Sequence, residues 1–304
     1  MIISIKDNWK NAEKEHALFL KKIISSYLEK DRSRSDGKVR AREFIEDTYH
    51  LLILCGEKDI EESISRFEYY KGLLSYDIVQ QKAYIKKIKE LFKYDDFVKK
   101  KGEWNAYKLC KMSLARTCPY CNQSYAFTIQ VDKRGFRPTL DHFYCKNKYP
   151  HLALVLNNLI PCCSTCNSSL KGQVDFYTKH HLNPLWDDEN ISFSISHIEG
   201  PAGLAVKLKE KSEGAVLSLT ASTLCEKTKR SMKTFMLQDR YELMAFEAVD
   251  FTLSKENFKE ARSTGIRHFA DEDEALIIRF DKTKYRQYLL GRMFHDISEQ
   301  IDKG

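Results

Sequence analysis

The stretches Cys118-Pro-Tyr-Cys121 and Cys163-Ser-Thr-Cys166 decide the fold of the middle of this chain. They are separated by 41 residues, and each is a Cys-x-x-Cys knuckle that can turn two thiolates toward one ion. Two knuckles supply four thiolates, which is the full ligand set of a tetrahedral structural zinc with no position open for substrate. The pattern therefore predicts a structural zinc on Cys118, Cys121, Cys163 and Cys166. Buried free cysteines or another thiophilic metal are the alternatives.

The chain has nine cysteines, and six of them fall between Cys118 and Cys166. In a reducing compartment, paired cysteines indicate metal more often than disulfides. Cys162 offers a competing register for the second knuckle, but a three-residue gap is less usual than a Cys-x-x-Cys turn. We expect the cysteines outside the two knuckles to pack as small apolar residues: Cys55, Cys110, Cys145, Cys162 and Cys225.

Three polar elements lie between and just after the knuckles. Asp141-His142 places a carboxylate beside an imidazole, and on a strand the two side chains point to opposite faces, so that one can bind a metal while the other accepts a proton. Asn158 precedes the second knuckle, Asn167 follows it directly, and Lys171-Gly172 comes shortly after. Each element alone has an ordinary explanation, such as a surface hydrogen bond or a turn. Their order together indicates a catalytic site.

This order resembles the HNH family of ββα-metal nucleases, whose pattern is Cys-x-x-Cys, Asp-His, Asn-Leu, Cys-x-x-Cys-Asn and Lys-Gly. The resemblance covers about 55 of the 304 residues. It implies a ββα core in which a hairpin carries Asp141 and His142 and packs on a helix that carries Asn167. It also implies that His142 is the general base, that Asp141 and Asn167 hold Mg²⁺ or Mn²⁺, and that Asn158 orients the loop and His142. Many members have Pro three residues after the His, where this chain has Cys145.

A longer string, Asp141-His-Phe-Tyr-Cys-Lys-Asn-Lys-Tyr-Pro150-His-Leu-Ala-Leu, is similar to HNH subunits found beside ATPases in bacterial anti-phage systems such as Septu. The resemblances imply a metal-dependent endonuclease that hydrolyses phosphodiester bonds in DNA as a defence effector. They also imply a partner ATPase subunit, for which the flanks of the chain would be docking surfaces.

Other functions remain open at this stage. RNA is an alternative substrate, because the core chemistry does not require that a 2′-hydroxyl be missing. A catalytically inactive zinc ribbon, acting as a nucleic-acid-binding or scaffold subunit, would have the same zinc site, but it leaves Asp141, His142, Asn158 and Asn167 together unexplained. Nuclease toxins usually carry a delivery domain or an export signal, and neither is visible in this sequence.

The charge distribution favours a polyanionic partner for the cysteine-rich part. The net charge is +7, and residues 99–183 hold 13 Lys and Arg against 4 Asp and Glu, whereas residues 184–304 hold 18 against 21. Basic side chains near the motifs are candidates for sequence-independent phosphate contacts: Lys171, Lys146, Lys148, Arg134 and Arg137. Three tyrosines near the motifs are expected to pack in the core, although stacking on unpaired bases is an alternative: Tyr120, Tyr144 and Tyr149.

Hydrophobic periodicity predicts an α+β protein with three regions. Residues 1–117 are expected to be helical and to dock a partner, residues 118–183 to form the HNH core, and residues 184–304 to form a small antiparallel sheet followed by helices. Strands are predicted over 125–131, 191–197, 204–208 and 215–219, and helices over about 38–55, from 229 onward and over 284–301. The N-terminus lacks a basic stretch before a long apolar run, and apolar runs such as 51–55 are too short to span a membrane. We therefore expect a cytoplasmic protein without membrane contact.

Overall fold

A computed structural model of the chain describes residues 2–53, 55–99, 103–132, 134–197, 215–221, 225–264 and 274–303. Over these residues the fold is α+β, with many helices and small antiparallel sheets of two strands each. The predicted fold class is confirmed at this level. The strand predicted over 204–208 lies outside the described residues.

The part before the first knuckle is helical, as predicted. Asp77 starts the fourth helix by accepting hydrogen bonds from the backbone N–H groups of Val79 and Gln80. The helices are α1 (Glu13–Lys30), α2 (Asp36–Ile53), α3 (Glu57–Gly72), α4 (Ile78–Leu91), α5 (Tyr94–Val98) and α6 (Ala106–Lys111). Helix α2 packs against α1, α3 and α4, and its Phe44 contacts Phe67 and Tyr84 in the core of this bundle.

The cysteine-rich part contains two short hairpins. Strands β1 (Ile129–Val131) and β2 (Arg134–Phe136) pair with each other, and so do β3 (Thr139–His142) and β4 (Leu159–Cys162). A π-helical segment, Thr165–Lys171, follows β4. The strand predicted over 125–131 is shorter than expected, because the chain before it folds back on the first knuckle, where the Cys118 N–H donates to the Ser124 carbonyl and the Ala126 N–H to the Arg116 carbonyl.

The last part begins with a third hairpin of β5 (Ile191–His197) and β6 (Ala215–Ala221), which confirms the alternating patterns in both stretches. The helices α7 (Glu226–Thr234), α8 (Leu237–Glu242), α9 (Ala245–Ser263), α10 (Glu274–Ile277) and α11 (Gly291–Lys303) follow.

The single helix predicted over 284–301 was wrong. The chain forms a short 3₁₀ helix, Lys282–Gln287, and then α11, with Leu290 between them at a φ of 56°. Leu290 is held in this left-handed conformation by its N–H, which donates to the Asn122 carbonyl at 2.7 Å. Gly291 follows because a Cβ there would overlap the carbonyl oxygen of Tyr285.

The three predicted regions share one buried core. The first residues pass between the other two regions, where the Ile3 N–H donates to the Pro119 carbonyl and the Ile5 N–H to the Pro184 carbonyl. The Trp9 indole N–H donates to the Leu159 carbonyl on β4 at 2.9 Å. The flanks therefore support the cysteine-rich part directly. In the part of the chain that the structure describes, no helix has both the length and the apolar character needed to cross a membrane.

Candidate functional site

The four knuckle cysteines come together in the structure. The sulfur atoms of Cys118, Cys121, Cys163 and Cys166 all lie within 4.8 Å of one another. Burial raises the pKa of the Cys118 thiol, so four thiolates at this place require a cation to compensate their charge. Four sulfur donors at this spacing can bind a metal such as zinc, and their clustering agrees with the prediction.

Groups around the cluster donate to the sulfur atoms. The backbone N–H of Cys166 points at the Cys163 sulfur at 3.4 Å, and the Arg240 guanidinium on α8 lies 3.4 Å from the Cys166 sulfur. The hydroxyl of Tyr241, also on α8, donates to the Cys121 carbonyl at 2.8 Å. Such contacts orient metal ligands and stabilise negative charge on sulfur. The sequence did not single out Arg240, because it lies 74 residues beyond Cys166 without a motif of its own.

The other cysteines stand apart from this cluster. Cys162 is fully buried with its sulfur 3.5 Å from the Thr139 hydroxyl, so the competing register is not the one that the structure shows. Cys145 is buried with its thiol 3.3 Å from the Gln173 side-chain oxygen. Cys225 is exposed just before α7, so the prediction that it packs as an apolar residue was wrong. The remaining two pack as predicted and are buried: Cys55 and Cys110.

Most of the polar motif residues border one cavity of about 270 Å³, whereas Asn158 does not line it. Asp141 and His142 at the end of β3 border it, together with Asn167 and Lys171 from the π-helical segment. Although successive residues of a strand alternate between its faces, both Asp141 and His142 border this cavity. A larger cavity of about 410 Å³ lies between α1 and α4, and none of the predicted site residues line it.

His142 is held in one orientation. Its Nε2 lies 2.9 Å from the Ala153 carbonyl, which can only accept, so Nε2 carries the proton and Nδ1 is the acceptor. The pKa of His142 is lowered to about 3, mainly by burial. The hydrogen bond to the Ala153 carbonyl raises this pKa, and the positive charges of Lys146 and Lys171 lower it. The imidazole is therefore neutral at neutral pH with one nitrogen able to accept a proton, and so low a pKa makes it a weaker base than an exposed imidazole.

The buried Asp141 carboxylate has a partner on each oxygen. The Tyr120 hydroxyl donates to Oδ2 at 2.7 Å, and the Lys171 ammonium lies 2.9 Å from Oδ1. The same ammonium donates to the His142 carbonyl at 2.7 Å, and the Lys171 side chain is 2% exposed. Lys171 therefore neutralises the predicted metal ligand from inside the site, and its buried ammonium is already bound to Asp141 and to the His142 carbonyl, whereas the sequence predicted a phosphate contact for it.

Asn158 ties together the loop after β3. Its side-chain oxygen accepts from the Tyr144 N–H at 2.7 Å, and its amide donates to the carbonyls of Tyr144 and Leu152, each at 3.0 Å. The side chain is fully buried. This loop also carries Ala153, whose carbonyl orients His142. Asn158 thus acts on His142 through the loop.

The remaining basic candidates have different surroundings. Lys146 and Arg137 border the cavity, and the Nε of Arg137 is buried without a hydrogen-bond partner among the described residues. Lys148 is paired with Asp175 at 3.0 Å, and Arg134 lies exposed on β2, away from the cavity lining. The three tyrosines are buried, which confirms core packing and leaves none of their rings free for bases: Tyr120, Tyr144 and Tyr149.

The helical region contributes a site residue that sequence reasoning missed. The ring of Tyr94, at the start of α5, meets the His142 ring edge-on with the centroids 4.4 Å apart. The Tyr94 hydroxyl donates to the Leu140 carbonyl at 3.3 Å, which fixes the ring against β3. No local pattern marks this residue, because it meets its partners only through tertiary packing.

Comparison of the chain with family models, with curated proteins and with solved structures found no match. The function is therefore argued from the geometry of the site together with the motif resemblance.

Proposed function

We propose that this chain is a metal-dependent endonuclease of the HNH type that hydrolyses phosphodiester bonds, with DNA as the first substrate to test. The observation that carries the proposal is the cavity at the end of β3. It brings together Asp141, His142 and Asn167, and the hydrogen bond to Ala153 leaves the unprotonated Nδ1 of His142 as the proton acceptor. The order of β3, β4 and a helical segment also supports a ββα unit.

His142 would accept the proton of the attacking water, because its imidazole is neutral and its other nitrogen is already bound. Asp141 and Asn167 offer oxygen donors, which suit Mg²⁺ or Mn²⁺ better than a soft metal. Each carboxylate oxygen has two lone pairs, so Asp141 retains acceptor capacity beside Tyr120 and Lys171. When bound there, such an ion would stabilise charge on the scissile phosphate and the leaving oxygen.

The cysteine cluster would then serve the site as a zinc-bound support. Tyr120 lies inside the first knuckle, and its hydroxyl holds Asp141. Folding of the knuckle around zinc therefore fixes the position of the carboxylate. This link between the two centres supports an active site in preference to a zinc ribbon that only binds or scaffolds.

The proposal also includes a role in anti-phage defence and a partner ATPase subunit. The resemblance of the string around Asp141 to nuclease subunits encoded beside ATPases supports both. If the isolated chain is monomeric, fully active and unaffected by any co-encoded protein, the partner hypothesis fails.

Cleavage by the purified chain tests the proposal. Plasmid, linear and single-stranded DNA and RNA are incubated with Mg²⁺ or Mn²⁺, and the assay is repeated with His142→Ala. Loss of a general base lowers the rate by roughly 10²–10⁴-fold. Zinc content should be unchanged, because the side chain of His142 is not a ligand of the cysteine cluster. Circular dichroism checks that the variant folds, because it loses the buried imidazole and its hydrogen bond to the Ala153 carbonyl.

His180→Ala is the matched control, because His180 is exposed and does not line the cavity. It should cut at the wild-type rate. A folded, zinc-loaded His142→Ala protein with wild-type activity would remove the general base from the proposal. If the wild-type chain cuts none of the substrates with either metal, the inactive zinc-ribbon alternative is favoured.

A further inference from the structure

A second cavity, of about 360 Å³, adjoins the one that contains His142. Tyr94, Lys146 and Asn147 line both cavities, so the two are neighbours that share part of one wall. The added cavity is lined mainly by the end of α4 and by α5, which belong to the helical region. That region therefore forms part of the approach to the candidate site.

Lysines dominate the wall of this second cavity. Four of them line it, and we call them the lysine wall: Lys89, Lys93, Lys99 and Lys146. Lys89, Lys93 and Lys99 are exposed, and no ion pair of these three is found within the described residues. The opposing charges in the lining come from Asp95 and Asp96, and Asp96 has a partner of its own. The wall thus retains a net positive charge.

The cavity between α1 and α4 does not share this excess of positive charge. Its lining holds two lysines and two acidic residues, and Lys87 is paired with Asp31 at 2.6 Å. Charge is balanced there, so that cavity has no preference for a polyanion. Helix α4 contributes residues to both cavities, and its Lys89 lines the second one without an ion pair among the described residues.

Tyr94 connects the lysine wall to His142. The Lys146 ammonium lies 4.3 Å from the centroid of the Tyr94 ring, a cation–π contact that places its charge at the junction of the two cavities. The same Tyr94 ring also contacts the His142 ring edge-on. A nucleic-acid strand that lies along the wall would therefore pass close to Tyr94, which contacts the imidazole.

We infer that the lysine wall binds the phosphate backbone of the nucleic acid next to the phosphodiester bond at which His142 would activate water. The inference rests on the proposed function and assigns part of substrate binding to the helical region. Lysine ammonium groups recognise phosphates as point charges and carry no base information, so the contact is independent of sequence. Its contribution depends on salt, because each neutralised phosphate releases condensed counterions.

Binding by full-length His142→Ala protein tests this inference without cleavage. Fluorescence anisotropy is measured with a labelled DNA duplex, its single strand and RNA of the same sequence over a series of salt concentrations. Lys89→Gln/Lys93→Gln should weaken binding and reduce the slope of log affinity against log salt by roughly 2 for duplex DNA.

Lys82→Gln/Lys86→Gln is the matched control. It removes the same charge at two exposed positions of α4 that line neither cavity, and of these Lys86 is paired with Glu90. This control should keep the parent affinity and salt slope. If both double variants behave alike on every nucleic acid that the parent binds, the lysine wall is not a binding surface, although the proposed cleavage can still be correct. If the wild-type chain neither cuts nor binds any of the three, the proposed function fails and the inference fails with it.

Discussion

Replacement of Asn158 by alanine should destabilise the protein more than any neighbouring polar substitution. The buried side chain makes three hydrogen bonds to the backbone of Tyr144 and Leu152, at 2.7, 3.0 and 3.0 Å. A buried hydrogen bond contributes about 1 kcal/mol net, so the three together contribute roughly 3 kcal/mol. The cost rises further if the freed backbone groups stay buried without water.

Asn157→Ala provides the comparison. Asn157 is only partly buried and makes one hydrogen bond, from its amide to the Cys55 carbonyl at 2.6 Å. Its loss should cost about 1 kcal/mol. Asn158→Asp keeps the acceptor for the Tyr144 N–H but sets an oxygen against two carbonyls, so it should be no better tolerated than Asn158→Ala.

Urea unfolding of the zinc-loaded proteins, followed by circular dichroism, measures these differences. Cleavage by Asn158→Ala should also fall, since the loop it holds carries the Ala153 carbonyl that orients His142. The reasoning is refuted if Asn158→Ala and Asn157→Ala unfold at the same urea concentration. A folded Asn158→Ala protein with wild-type cleavage would show that the loop does not position the base.

Two further measurements address the zinc site and the buried His16. Cys163→Ser should lose zinc and become insoluble or locally unfolded, since a structural zinc contributes on the order of 10 kcal/mol; metal analysis that finds a soluble, zinc-replete variant would contradict this. Burial lowers the pKa of His16 to about 4 from 6.5, so the unfolded chain binds the proton more readily. The free energy of unfolding should therefore fall by about 1.4 kcal/mol per pH unit from this residue as the pH drops from about 6.5 toward 4. Urea unfolding of His16→Gln between pH 7 and pH 5 should show a shallower pH dependence than wild type, and an equal dependence would reject the assignment.

The sequence predicted what depends on local spacing. The four cysteine ligands follow from the geometry of the knuckle, and strand β5 follows from the alternation of Ile191, Phe193 and Ile195. The exact ends of β1 and of the last helix could not be predicted, because tertiary hydrogen bonds set them. Leu290 takes a positive φ only because its N–H reaches Asn122, far away in the sequence.

The site shows the same division between local and tertiary causes. The motif identified Asp141 and His142, but the sequence predicted a phosphate contact for Lys171, whose ammonium is buried against Asp141. A motif gives the order of residue types and not the direction in which a long side chain points. Tyr94 carries no motif at all, and only the packing of α5 on β3 brings it to His142.

The passage of the first residues between the later regions constrains the order of assembly during synthesis. The N–H groups of Ile3 and Ile5 donate to the carbonyls of Pro119 and Pro184, and the Trp9 indole N–H donates to the Leu159 carbonyl. The first residues can therefore make these contacts only after much later residues have been synthesised. Such non-local contacts form slowly, since chain closure must precede them. Arg240 then reaches the cysteine cluster from still further along the chain. The candidate site of the nascent chain is thus incomplete until most of the chain has left the ribosome, and residues 118–183 cut out by themselves would lack several of the contacts that hold this site in place.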